Sequence, residues 1–221
     1  KFADVVTANS NIALDGMKSY VLEEKLELVP NPVFIPDQQS TPDRSKVVLN
    51  VGRLVPQKNQ QLLIETFSRI DTQTLNGWSV EILGEGEEKE NLQKKAEELN
   101  IKDQVVLHGK VADVEDYYLK SGIFVLSSVY EGTPNSLLEA MSFGLPPIVS
   151  NACPGALELI THGKNGLIFE SEDADDLAEK LSVLMSDPDM RLRLGNKARE
   201  TVKKFAPENV LPVWDRLLEK A

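Results

Sequence analysis

The sequence predicts an α/β fold in which a Rossmann-like parallel sheet carries helices on both faces. Within the 221 residues, at least five short apolar runs that read as buried strands alternate with longer amphipathic or polar segments. Loops containing glycine or proline follow most of these runs, and helix-start residues follow the loops. The apolar share of 41% is ordinary for a globular chain that buries a core.

Composition narrows the function classes. The net charge of −11 argues against a nucleic-acid partner, whose phosphates attract basic faces. It weighs less against peripheral membrane contact, for which one local basic patch suffices. Cys153 is the single cysteine, which excludes an internal disulfide and suits a reducing compartment such as the cytoplasm. The chain starts at Lys1 rather than Met, so we expect it to be a piece of a longer protein.

The first 46 residues predict a short β–α–β passage and a linker. Residues 3–8 read as a strand, and Ser10 is a candidate cap for a helix that runs to about Glu24. Residues 26–29 form a second strand, which Pro30-Asn31-Pro32 ends. Residues 36–46 are polar and proline-containing, which indicates an exposed linker.

The remaining elements follow in strand–helix alternation. Strands are predicted at 47–51, 78–83, 105–111, 123–128, 147–150 and 165–170. Helices are predicted at 60–70, 87–99, around Tyr117–Leu119, at 134–143, 154–160 and 173–185, from Pro188, and from Pro207 to about Lys220.

The loop after the strand at 47–51 carries Gly52, Arg53 and Lys58. A glycine at a strand end allows the backbone to pass close to a ligand. Arginine can bind phosphate oxygens with two N–H groups, and lysine acts as a point charge. The alternative is a pair of solvated loop cations.

Two further strand ends are candidate ligand positions. Gly84-x-Gly86 follows the strand at 78–83, although such glycines also mark ordinary strand-to-helix turns. Val111 lies at the exit of the strand at 105–111. Because His108 in that strand has no visible partner, a structural role is favoured over general-base chemistry.

The stretch from Glu131 to Glu139 offers the strongest site signal. Thr133 is the predicted N-cap and Pro134 the first helical residue. The first turn should leave N–H groups without backbone acceptors, which together with the helix dipole favour a phosphate. These N–H groups belong to Asn135, Ser136 and Leu137, and Glu139 shares the helix face of Asn135 and Ser136.

The segment Glu-Gly-Thr-Pro-Asn-Ser-Leu-Leu-Glu-Ala-Met-Ser-Phe-Gly-Leu-Pro, from Glu131, closely resembles the E-x7-E element of GT4-type, or group 1, retaining glycosyltransferases. These enzymes have the GT-B architecture, in which two Rossmann-like domains face each other across a cleft. The resemblance runs from about Asn50 to Phe169. It includes the GR-x4-K arrangement of Arg53 and Lys58, and Pro154-Gly155 followed by a Glu-Leu-Ile segment.

The resemblance implies a donor-binding domain at 36–206. Residues 1–35 would be the tail of an N-terminal domain and its hinge, although Pro32 stands where the hinge motif of the family has glycine. Residues 207–221 would form a helix that crosses back to the N-terminal domain. For both flanks the alternative is a segment that belongs to this domain alone.

The resemblance also implies site roles. Arg53 and Lys58 would neutralise the donor diphosphate, Glu139 would bind the ribose hydroxyls, and Glu131 would contact the donor sugar. Catalysis is thereby assigned to Glu131, Arg53 and Lys58, with no metal or cofactor required. The full donor-binding set is Gly52, Arg53, Lys58, Gly84, Val111, Glu131, Gly132, Thr133, Pro134, Asn135, Ser136, Leu137 and Glu139.

The resemblance implies transfer of a hexose-type sugar from a UDP-sugar to a glycan or lipid-linked acceptor, as in polysaccharide assembly. The expected location is the cytoplasm, including peripheral contact with the inner face of the membrane. Because the acceptor site would lie in the N-terminal domain, we expect this chain alone to be inactive.

Two other functions remain open. A nucleotide-sugar epimerase shares the two-domain architecture, but needs acid–base groups that His108 and His162 are poorly placed to supply. A non-catalytic nucleotide-sugar-binding module would keep the fold alone. Cys153 has no local base to activate it, so a packed thiol is favoured over a nucleophile.

Overall fold

The computed structural model describes residues 3–37 and 44–219. Its strands are β1 Val6–Ala8, β2 Leu26–Leu28, β3 Val47–Val51, β4 Ser79–Leu83, β5 Val105–Gly109, β6 Ile123–Leu126, β7 Pro147–Ser150 and β8 Leu167–Phe169. Its α-helices are α1 Asn11–Met17, α2 Gln60–Arg69, α3 Thr72–Leu75, α4 Lys89–Glu98, α5 Glu115–Lys120, α6 Asn135–Ser142, α7 Pro154–Leu157, α8 Ala174–Ser186, α9 Pro188–Val202 and α10 Pro207–Leu218.

The main sheet has six parallel strands in the order β5-β4-β3-β6-β7-β8. After β3, the chain adds β4 and then β5 on one side of it. It then crosses to the other side of β3, where β6, β7 and β8 follow in order. A crevice opens at such a switch point because the loops after the two central strands diverge, and ligands of doubly wound sheets bind there. The predicted fold class is confirmed.

Two apolar layers cover the sheet. On one face, α2, α4 and α8 pack against alternate side chains of the strands, and this layer includes Phe67 of α2 and Ile82 of β4. On the other face, α5, α6 and α7 pack around Phe124 and Met141. Both layers follow from the continuous apolar runs of the strands, because a parallel sheet must be covered on both sides.

Residues 3–29 form a small unit with α10. The strands β1 and β2 pair in parallel, and Val29 after β2 packs against Val210 and Leu217 of α10. On α10 itself, Leu217 is buried, whereas Leu211 and Trp214 are 50% and 39% exposed. The division at 35/36 and 206/207 remains a prediction.

Two expectations for the first 46 residues were wrong in extent. The helix that Ser10 caps ends at Met17 rather than near Glu24, since it buries none of its residues and contains Gly16. Residues 38–43 of the predicted linker lie outside the described residues. Arg44, which the prediction also placed in the linker, is instead half-buried.

The guanidinium of Arg44 joins the C-terminal ends of α5 and α6. It donates to the carbonyl oxygens of Tyr118, Leu119 and Ser121 at 2.9–3.2 Å and of Phe143 at 2.6 Å. Burial lowers its pKa to about 10, so the group stays cationic at neutral pH. A cation at two helix C-termini satisfies carbonyls that helices leave unpaired and complements both dipoles.

We predict that Arg44→Ala lowers the free energy of unfolding by about 2–4 kcal/mol, because several buried carbonyls lose their donor. Urea unfolding monitored by circular dichroism measures this loss. Arg193→Ala is the matched control, because Arg193 is exposed and donates to one carbonyl, that of Gly163. Equal effects of the two substitutions would contradict the assignment.

Cys153 is fully buried next to the loop that contains Glu131. Burial raises the pKa of its thiol to about 11, and the nearby charge of Glu131 adds to the effect. The prediction of a packed thiol rather than a nucleophile therefore agrees with its environment, because the reactive species is the thiolate.

We predict that iodoacetamide alkylates Cys153 slowly at pH 8, where roughly a thousandth of the thiol is ionised. Mass spectrometry of the native chain and of the chain in urea gives the comparison, and unfolding should accelerate labelling by orders of magnitude. Equal rates in the two states would contradict the burial.

Candidate functional site

The loop after β3 and the loop after β6 meet in an ion pair. The Nζ of Lys58 donates to Oε1 of Glu131, and the Ser128 hydroxyl donates to the same oxygen at 2.9 Å. The side chains of Lys58 and Glu131 are only 17% and 13% exposed. Pairing is what makes two charges tolerable at that degree of burial.

Backbone contacts hold the two loops in this arrangement. The Val129 N–H donates to the Gln57 carbonyl at 3.0 Å, and the Gln57 side chain donates to the Tyr130 carbonyl at 2.6 Å. The Ser127 hydroxyl donates to the carbonyl of Lys58 at 2.8 Å. Backbone hydrogen bonds as well as side chains therefore hold Lys58 and Glu131 together at the sheet edge.

A cleft of about 310 Å³ adjoins the loop after β3 on the side of β4 and β5. It brings together the candidate ligand positions at the ends of β3, β4 and β5, which are Gly52, Gly84 and Val111. Arg53 and Lys110 supply positive charge to its wall, and Glu85 supplies negative charge. Arg53 is exposed, and its guanidinium has no hydrogen-bond partner among the described residues.

The two glycines after β4 are required by close packing of loops. A Cβ on Gly84 would lie 1.9 Å from the Gly52 carbonyl oxygen, and one on Gly86 would lie 2.1 Å from that of Leu54. Both distances are far below contact, and Gly84 also has a φ of +143°. The Gly-x-Gly pattern therefore serves the packing of one rim loop on another, whatever it does for a ligand.

The start of α6 differs from its prediction in two respects. The N-cap is Pro134 rather than Thr133, and the Thr133 hydroxyl donates to the carbonyl of Asn9 at 3.1 Å. The Leu137 N–H is also taken, because it donates to the Pro134 carbonyl at 3.1 Å. Among the described residues, only the N–H groups of Asn135 and Ser136 lack an acceptor in this turn.

Glu139 lies on α6 and accepts a hydrogen bond from the buried hydroxyl of Tyr118 at 2.8 Å. The bond uses Oε2, and no described residue donates to Oε1. The sequence predicted the position of Glu139 on the helix face but gave no signal for Tyr118, which lies on a different helix.

Gly155 lies in close contact with the backbone of the loop that carries Glu131. A Cβ on Gly155 would lie 1.7 Å from the Gly132 carbonyl oxygen, and the Gly155 N–H donates to the Glu131 carbonyl at 3.2 Å. Gly132 itself faces open space. The glycine of the Pro154-Gly155 segment therefore supports the loop that carries Glu131, a role that the sequence analysis did not assign.

The same loop is bonded to the first 31 residues. Besides the bond from Thr133 to Asn9, the side-chain amide of Asn31 donates to Oδ1 of Asn135 at 2.6 Å. Glu158 accepts from the N–H groups of Asn11 and Ile12 at 3.3 and 3.0 Å, which satisfies the start of α1. A cavity of about 400 Å³ lies between these segments.

The histidines lie outside the crevice. The sequence showed no partner for His108, but the structure gives it two. Its Nε2 lies 2.9 Å from Oε2 of Glu81, and its Nδ1 lies 3.3 Å from the Tyr117 hydroxyl. These contacts give it a structural role at the edge of the sheet. His162 lies in an exposed turn, as expected, and accepts from the Ile168 N–H at 3.0 Å.

Acidic residues in the described ranges form no group of three or more metal-ligating side chains suited to an ion. The sequence contains two Asp-x-Asp triplets, at Asp173–Asp175 and Asp187–Asp189, and the first aspartate of each caps a helix. Within residues 3–37 and 44–219, no helix combines the length and apolarity that crossing a bilayer would need.

The family model of glycosyl transferases group 1 matches residues 34–201. An uncharacterised glycosyltransferase of Haemophilus influenzae is 29% identical over 99% of this chain. An α-1,4-N-acetyl-D-galactosaminyltransferase of Campylobacter jejuni, which acts on an undecaprenol-diphosphate-linked saccharide according to its name, is 29% identical over 88% of the chain. The chain spans 63% and 55% of the lengths of these two relatives. Neither relative supports the expected peripheral membrane contact of this chain.

Solved structures are also similar to this chain. A variant of TarM from S. aureus, in complex with UDP, has a TM-score of 0.84 and 26% identity, with 97% of this chain and 43% of TarM covered. HepE from Anabaena, with UDP and glucose, has a TM-score of 0.89 at 21% identity, covering 100% and 64%, which shows the fold alone. The expected C-terminal half of a GT-B architecture is confirmed. This chain belongs to the group 1 glycosyltransferases.

Proposed function

We propose that this chain is the donor-binding part of a retaining glycosyltransferase that transfers a hexose-type sugar from a UDP-sugar. The observation that supports this most is the crevice between β3 and β6. There the pair of Lys58 and Glu131 lies in contact with the loop that leads to two unpaired helix N–H groups. Cations and free amides at a helix start are suited to a diphosphate.

Each donor moiety has a proposed partner. Arg53 and Lys58 neutralise the diphosphate, and the N–H groups of Asn135 and Ser136 receive its oxygens. Leu137 is no longer assigned to the phosphate, because its N–H is already bonded. Glu139 binds the ribose hydroxyls, and the base lies in the cleft beside Val111.

The proposed chemistry is departure of the nucleoside diphosphate from the anomeric carbon of the sugar. Negative charge grows on the leaving phosphate, and preorganised cations and amides stabilise that charge in the transition state. Glu131 contacts sugar hydroxyls of the donor, for which it must share its carboxylate between the sugar and Lys58. No metal ion is needed in this scheme.

The choice of UDP rests on TarM, which carries it at 26% identity. A glycan or lipid-linked acceptor is inferred from the name of the Campylobacter jejuni relative, and a role in polysaccharide or glycolipid assembly from the same name. We propose that the acceptor is bound outside this chain, so the chain binds donor but transfers sugar slowly. A cytoplasmic location is supported by the single buried thiol.

An epimerase is disfavoured by the positions of its two candidate bases. His108 is engaged by Glu81 and Tyr117, and His162 lies in a separate exposed turn. Proton abstraction at a sugar ring requires a base within hydrogen-bond reach of the ring.

We predict that calorimetric titration with UDP, GDP, ADP and CMP detects selective binding of UDP. Arg53→Ala and Glu139→Ala should each weaken it roughly 10- to 150-fold, because each removes a hydrogen bond to a charged group worth about 1.5–3 kcal/mol. The exposed guanidinium of Arg53 makes no bond in the free protein, so its loss should leave the fold intact.

Lys89→Ala and Glu90→Gln are the matched controls, since both residues are exposed on α4. They change one charge each and should leave UDP binding unaltered. Binding of another nucleotide would keep the site and change the donor, whereas absence of nucleotide binding would contradict the proposal.

A second prediction separates the two members of the ion pair. Lys58→Ala should weaken UDP binding by an amount similar to Arg53→Ala, because the diphosphate loses a cation. Glu131→Gln should leave UDP binding unchanged or tighter, because it removes a negative charge beside the diphosphate and frees Lys58. Calorimetry with UDP, which lacks the sugar, measures both. A loss of UDP affinity in Glu131→Gln as large as in Lys58→Ala would refute this division of roles.

A further inference from the structure

Tyr118 and Glu139 form a polar contact between two helices of the otherwise apolar layer on one face of the sheet. The Tyr118 side chain is 1% exposed, and its hydroxyl lies 2.8 Å from Oε2 of Glu139. Tyr118 belongs to α5, which precedes β6 in the chain, and Glu139 belongs to α6, which follows β6. This contact has no role in the donor scheme described above.

The tyrosine ring is held rigidly. It stacks on Phe143 with ring centroids 5.7 Å apart and an interplanar angle of 24°, and it lies 6.3 Å from the ring of Phe124. Arg44 bonds the carbonyls of both Tyr118 and Phe143, which joins the ends of α5 and α6. A hydroxyl on such a support keeps its position more closely than a solvated side chain can.

The hydroxyl also keeps its proton. Burial and the negative charge of Glu139 raise the pKa of Tyr118 well above its ordinary value. At neutral pH the hydroxyl is therefore a permanent hydrogen-bond donor to the carboxylate.

The helix that carries Tyr118 begins at the cleft, and the Glu139 carboxylate keeps acceptor positions open. Val114, the N-cap of α5, lines the cleft, and its carbonyl accepts a hydrogen bond from the Tyr118 N–H at 3.2 Å. A carboxylate has about four acceptor positions. Tyr118 occupies one on Oε2, and Oε1 accepts nothing from the described residues. Enough acceptor capacity remains for two neighbouring hydroxyls.

We infer that Tyr118 is a positioning residue, which fixes the Glu139 carboxylate before the donor arrives so that it accepts both hydroxyls of a ribose. This inference rests on the proposed function of Glu139. Without the tyrosine hydroxyl, Glu139 would lose rotamer freedom only on binding, which weakens affinity. The site therefore prefers a ribonucleotide over its 2′-deoxy counterpart, and Tyr118 contributes to that preference.

The test is calorimetric titration of the chain and of Tyr118→Phe with UDP and with 2′-deoxy-UDP. Tyr118→Phe should bind UDP about 3- to 10-fold more weakly, the effect of losing one hydrogen bond that orients the carboxylate. Binding of 2′-deoxy-UDP should change less, so the ratio of the two affinities should fall.

Two further variants exclude a purely structural effect. In the Glu139→Ala background, Tyr118→Phe should have no additional effect on UDP binding. Phe124→Leu removes packing from the same ring cluster without touching the carboxylate. It should lower the midpoint of thermal unfolding but keep the ratio of UDP to 2′-deoxy-UDP affinity.

The outcomes separate this inference from the proposed function. UDP binding that depends on Glu139 but is unchanged in Tyr118→Phe would overturn the role of Tyr118 alone. The role of Tyr118 would also be overturned if Phe124→Leu lowered the ratio of UDP to 2′-deoxy-UDP affinity as much as Tyr118→Phe does. The same holds if Tyr118→Phe weakened UDP binding further in the Glu139→Ala background. Absence of UDP binding by the unsubstituted chain would overturn both.

Discussion

The divergence of the chain at β3 and β6 is the constraint on which the candidate site depends. Because β4 and β6 flank β3 on opposite sides, the loops after β3 and β6 leave the sheet edge side by side. One loop carries Lys58 and the other carries Glu131, and their half-buried charges neutralise each other across the crevice. Because leaving either charge unpaired at that burial costs free energy, the ion pair helps to hold the two loops together.

The ion pair also sets the electrostatic state of the free site. With Lys58 engaged by Glu131, the free cation at the cleft wall nearest these loops is Arg53, which is exposed. A diphosphate that enters the crevice competes with a carboxylate for Lys58. In the proposed scheme, the sugar hydroxyls then give Glu131 new partners as it shares or releases the lysine. Charge neutralisation and sugar contact are thereby coupled through one pair of side chains.

The wall behind α6 is rigid for a different reason. Arg44 ties the ends of α5 and α6 together, and the Tyr118 hydroxyl connects the same two helices at Glu139. On its other side, the start of α6 is bonded to Asn9 and Asn31 of the first 31 residues. Any movement of those residues relative to the sheet would act directly on the loop that carries Glu131.

The sequence alone determined the order and type of most elements, since apolar periodicity and turn chemistry are local properties, but it missed the short helix α3, Thr72–Leu75. It also placed Gly52, Lys58, Gly84, Val111 and Glu131 at strand ends that share one edge, because parallel strands point their carboxyl ends the same way. Only the tertiary structure decided which groups are already bonded there. Thr133 does not cap α6, because its hydroxyl donates instead to the carbonyl of Asn9, which is distant in sequence. Tyr118, Ser128 and Gly155 acquired roles for the same reason: a hydrogen bond or a close backbone approach depends on partners that only the folded chain brings together.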